Sequence, residues 1–72
     1  MSVVRKRSIH LHGQKTSISL EDEFWSALQE IAVLRNERVP ELINMIADQR
    51  PQGVNLSSAI RLHVLRHFRA ST

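Results

Sequence analysis

Between Lys15 and Leu34 the apolar positions change their period from two to about 3.6, with no glycine or proline at the changeover. A short strand therefore runs directly into a helix. Over residues 15–20, Thr16, Ile18 and Leu20 fall on one face, while Lys15, Ser17 and Ser19 fall on the other. One side is apolar and the opposite side is small, polar and basic. Further on, Phe24, Ala27, Leu28, Ile31 and Leu34 form a stripe at helical spacing. Glu21, Asp22 and Glu23 place negative charge beside the positive end of the helix dipole. Trp25, in the same first turn, is expected to pack under the sheet or at a subunit contact. An outward Lys-x-Ser-x-Ser row feeding a core-forming helix suits a ribbon that touches a polar, anionic partner.

The alternation continues upstream. Arg5 to His12 repeats it, and His12-Gly13-Gln14 predicts a tight turn folding residues 6–12 back along 15–20. Ile9 and Leu11 then join the apolar face, and Lys6, Ser8, His10 and His12 join the polar one. Downstream, Val39 to Asp48 has helical spacing, with Pro40 suited to a first turn and Pro51 just past the end. A third helix opens after Gly53, with Asn55 as its natural N-cap. Its apolar residues, Leu56, Ala59, Ile60, Leu62, Val64, Leu65 and Phe68, lie almost all round the axis and need cover on most sides. The expected fold class is mainly α with a short N-terminal β element, a possible N-terminal β-hairpin and a third helix.

Residues 14–48 resemble the ribbon-helix-helix (MetJ/Arc-type) family of dimeric DNA-binding proteins, most closely a largely uncharacterised three-helix branch. The resemblance implies an intertwined dimer. Each subunit would give one strand to an antiparallel ribbon whose alternate side chains enter the major groove. Carried over by position, Ile18 and Leu20 match the inward strand residues, and Lys15, Ser17 and Ser19 the base-reading ones; Arg5, Lys6 and Arg7 would reach phosphates. Two features depart from the pattern. A hairpin in each subunit gives the dimer four strands about 4.8 Å apart, whereas a major groove about 12 Å wide admits two. The family also has one more helix after the first, and this chain offers two. Residues 39–48 are the gap-free second helix, while Gly53 to Ile60 looks like the family's Gly-x-Ser-x-Ser-x-x-Ile helix start and would make 37–53 an insertion.

At 72 residues a single domain is expected over 1–72, with 1–5 and 70–72 lacking fixed structure. A chain this short buries only about 60% of its unfolded surface alone, so a homodimer is expected. Without cysteine neither a disulfide nor a thiolate metal site can staple it. No apolar run approaches the roughly 20 residues of a membrane span. Nor does an apolar segment follow the basic N-terminus as in a signal peptide, so a cytoplasmic location without membrane contact is the default.

Net charge is +3, and it is strongly segregated. Residues 1–20 carry Arg5, Lys6, Arg7 and Lys15 without an acid; residues 49–72 carry Arg50, Arg61, Arg66 and Arg69 without an acid; all seven acids lie from Glu21 to Asp48. Basic ends suit phosphate contact, and they equally suit pairing with the acidic middle. His63 and His67, four apart, share a helix face, the spacing of a two-point metal chelate. They fall within the apolar arc, and neither a metal nor another cofactor is expected. No phosphate loop or nucleophile elbow is present, and catalysis is not expected. Two functions remain: a DNA-binding transcriptional regulator, or a dimerisation or protein-interaction module, antitoxin-like or adaptor, on the same fold.

Overall fold

His12 and Gly13 both take left-handed backbone angles, φ 51° and 81°. That conformation is what a two-residue hairpin needs to match the twist of its strands, and glycine adopts it without a Cβ clash. The turn joins β1, Val4–Leu11, to β2, Gln14–Glu21, in a two-stranded antiparallel sheet. In the computed structural model, which describes residues 3–70, three helices follow: α1 over Asp22–Leu34, α2 over Val39–Gln49 and α3 over Leu56–Ala70. Of the described residues 57% are helical, in keeping with the mainly α class expected. Of the terminal residues expected to lack fixed structure, Val4 and Arg5 lie in β1 and Ala70 closes α3; residues 1, 2, 71 and 72 lie outside the described residues.

Register sorts the hairpin's side chains. Arg5 pairs with Leu20, Arg7 with Ile18 and Ile9 with Thr16 on one face; Lys6 pairs with Ser19, Ser8 with Ser17 and His10 with Lys15 on the other. The Asp22 amide donates to the Val3 carbonyl at 3.3 Å, which fixes the phase of the ladder. Pairs in step with it turn their backbone groups toward each other, so Lys6, Ser8 and His10 on β1, and Lys15, Ser17 and Ser19 on β2, turn theirs to the open edges.

Helix ends follow local chemistry. α1 has no side-chain cap, and Asp22 and Glu23 in its first turn offset the dipole. It stops at Asn36, φ 56°, where the Asn36 and Glu37 amides close on the Val33 and Ala32 carbonyls at 3.1 and 2.9 Å. At α2, Glu41 Oε1 accepts the Arg38 amide at 2.8 Å, and Pro40 sits in the first turn. At α3, Asn55 Oδ1 accepts the Ser58 amide at 2.8 Å, the expected cap.

The inner hairpin face closes the helices into one core. Leu20, Leu28, Ile31, Leu42, Ile43 and Ile60 are fully enclosed, with Ile9 and Ile18 above them. One sequence assignment changes. Leu34, expected in the α1 stripe, is 72% exposed because the helix ends there, and Ala32 fills the core instead. On α3, Leu56, Ala59, Ile60 and Val64 are buried, while Leu62, Leu65 and Phe68 remain open.

Candidate nucleic-acid interface

Lys6, Ser8, His10, Lys15, Ser17 and Ser19 are all exposed and stand together on the outward hairpin face. No carboxylate shares those six positions. The next position in register, Glu21 opposite Val4, is engaged elsewhere: Arg61 Nε donates to Glu21 Oε1 at 2.9 Å. That hydrogen bond, and then the residue's own backbone amide, hold the Glu21 carboxyl below the usual carboxylate range. The face is therefore polar and cationic along its length.

Arg5, Lys6 and Arg7 do not share one face of the hairpin. Lys6 belongs to the outward face. Arg5 and Arg7 share the parity of Ile9 and Leu11, and both donate to Asp22, Arg5 Nε at 3.1 Å to Oδ2 and Arg7 Nη2 to Oδ1. Arg7 also lies over the Trp25 ring, 4.8 Å from its centroid, and its Nε is buried with no hydrogen-bond partner among the described residues. Trp25 thus packs beneath the sheet, one of the two places expected for it. His12 departs from the polar row as well. Its place in the turn aims it at α2, where its amide donates to Asn44 Oδ1 at 3.0 Å and its Nε2 meets Asp48 Oδ1 at 2.7 Å. Only parity gave a sequence signal for Arg5 and Arg7; the anchoring by Asn44 and Asp48 joins residues over 30 apart, beyond any local pattern.

His63 on α3 is half-buried. Burial, then the positive charges of Arg35, His67 and Arg66, push its pKa below the ordinary imidazole value. Among the described residues no group of three or more metal-ligating side chains gathers, and no helix is long and apolar enough to cross a membrane.

A two-stranded hairpin that seals a small three-helix core with one face, and with the other presents six polar positions that carry no acid, defines a ribbon-presenting domain. The chain belongs to the ribbon-helix-helix family, whose domain model, described as a ribbon-helix-helix domain, matches residues 4–68. The match takes in the hairpin and nearly all of α3. Members of the family are generally DNA-binding transcription regulators or antitoxins. The chain is also similar to the solved structure of an uncharacterized protein from Bordetella pertussis Tohama I, with 37% sequence identity and a TM-score of 0.82. The similarity covers 96% of this chain and 58% of that one, so the chain spans little more than half of that protein. No curated protein matches it.

Proposed function

We propose that the protein is a homodimeric DNA-binding regulator that lays the outward face of its hairpin on duplex DNA. One observation carries the reading: six exposed, acid-free positions in register, with Lys6 and Lys15 at diagonal ends and serines between. Serine hydroxyls hydrogen-bond base edges permissively, and lysines neutralise phosphates. Val33, Leu34, Leu62, Leu65 and Phe68, exposed in one chain, supply apolar surface for a second copy to cover. Such a regulator works in the compartment that holds the genome, here the cytoplasm.

The hairpin need not block the groove. α2 borders the open edge of β1, where Ser8, Ile9 and His10 share a cleft with Val39, Pro40 and Ile43. Pairing of β2 with its symmetry mate at the opposite edge puts Lys15, Ser17 and Ser19 on the central two strands. The outer β1 strands, about 14 Å apart at strand spacing, then ride over the groove rims, where Lys6 meets phosphate. Arg5 and Arg7 hold the strand end through Asp22 and do not face the duplex.

A titration of genomic duplex fragments, including the promoter of the protein's own gene, at near-physiological salt tests the reading. Binding one fragment well above random duplex supports it. Equal, weak binding to all of them, unchanged in Lys6→Ala and Lys15→Ala, would leave the protein-interaction module as the better account.

A further inference from the structure

The ion pairs leave the cations unevenly used. Arg5, Arg7, Arg35 and Arg61 each meet a carboxylate. Among the described residues Arg50 and Arg66 meet none. Both are exposed, and they line one cleft of about 140 Å³ between the end of α2 and the face of α3, together with His63 and Gln49. Its other lining is apolar, Ile46, Pro51, Val54, Ala59 and Leu62, the last also among the residues left for a second copy to cover. No acid lines it.

We infer that this cleft is an anion site for a single phosphate group, held by the Arg50 and Arg66 guanidinium groups with His63 at its wall. It lies outside the hairpin face and does not depend on the proposed DNA contact there. Two guanidiniums bind a tetrahedral oxyanion through forked N–H donors, which suits phosphate better than a spherical halide. A cleft of about 140 Å³ has room for one phosphate group. An apolar lining lowers the local dielectric and strengthens such pairs. The basicity of His63 is depressed first by burial and then by repulsion from the positive charges of Arg35, His67 and Arg66. An anion in the cleft relieves that repulsion. The phosphate can come from a free phosphorylated small molecule or from a nucleic-acid backbone.

Inorganic phosphate is the probe, titrated against sodium chloride at matched ionic strength. The wild-type protein should gain a saturable rise in melting temperature with phosphate. An Arg50→Ala, Arg66→Ala double variant should lose the phosphate-specific part, and a Lys6→Ala, Lys15→Ala double variant should keep it. Proton NMR of the His63 ring in the unmutated protein gives a second reading that no folding defect can mimic: its resonances should move saturably with phosphate. A phosphate response equal to that of chloride, or an unmoved His63 resonance, overturns the site. Adding a short duplex separates the sources. If DNA itself shifts the His63 resonance and removing the two arginines flattens the salt dependence of DNA binding, the backbone supplies the phosphate; if neither occurs while phosphate still binds, a free small molecule does.

Discussion

Arg61, midway along α3, donates through Nε to Glu21 Oε1 at 2.9 Å, tying the third helix to the junction of β2 and α1 across 40 residues of chain. The same guanidinium carbon lies 6.0 Å from the centre of the Phe24 ring. The contact fixes the end of the hairpin face relative to the helices. It also neutralises the carboxylate that stands next in register to the polar row.

Glu21 has a folded-state pKa below its unfolded value of about 4.5 because Arg61 favours the ionised form. Its stabilising contribution is therefore present above the unfolded pKa and is lost as pH falls through the lowered one. Glu21→Gln should make the acid limb of the stability curve shallower, measured by urea titration from pH 6 down to 3. Arg61→Ala should do the same, and combining the two should add little, because the pair is one interaction.

Much of this arrangement is legible in the sequence, and the exceptions have physical causes. The change of period at Glu21, the His12-Gly13 turn, Pro40 and Asn55 are local signals, and each element they mark is present. The polar row Lys15, Ser17 and Ser19 is equally local and lies exposed on one face as expected. Arg5 and Arg7 group with Lys6 by charge but with Ile9 and Leu11 by parity, and in a strand parity decides which way a side chain points. His12 leaves the row because a left-handed turn residue no longer alternates. The Arg50, His63 and Arg66 cleft is not legible, since it forms only when α2 and α3 pack.

Parity along β2 is open to direct trial. Ile18 is buried and its neighbour Ser17 exposed. Ile18→Asp sets an unpaired charge into the core and should unfold the domain. Ser17→Ala should change stability by no more than about 0.5 kcal/mol. Leu28→Ala, at a fully enclosed position, should cost about 2–5 kcal/mol. Circular dichroism melts of the three variants check the register; a stable Ile18→Asp beside an unfolded Ser17→Ala would reverse the two faces.

His63 gives the neutral range its own pH dependence. Its folded pKa lies below the unfolded value of about 6.5, so the unfolded chain binds the extra proton first as pH falls. Stability is full above that unfolded value and declines as pH drops through it toward the folded pKa. His63→Gln should flatten the slope of stability between about pH 7 and 5. A slope as steep in His63→Gln as in the unsubstituted protein would contradict the placement of His63 among the charges of Arg35, His67 and Arg66.

The two kinds of N-terminal cation should behave differently on DNA, which tests the hairpin face more sharply than affinity alone. Lys6 and Lys15 are exposed on the outward side; Arg5 and Arg7 are tied to Asp22, and Arg7 also covers Trp25. Removing a lysine that sits at a phosphate should flatten the slope of log affinity against log salt by about 0.9 for each phosphate no longer neutralised. A homodimer carries the substitution twice, so Lys6→Ala should flatten the slope by about 1.8. Sequence preference should stay unchanged, since backbone contacts carry no base information. Arg7→Ala should instead lower the melting temperature, because it strips the Asp22 and Trp25 contacts, and should leave the salt slope of the folded protein as it was. Ser17→Ala and Ser19→Ala should narrow the affinity gap between the preferred fragment and random duplex with little effect on the slope. Should Arg5→Ala and Arg7→Ala flatten the slope while Lys6→Ala and Lys15→Ala do not, DNA meets the chain from another side and the outward hairpin face is not its binding surface.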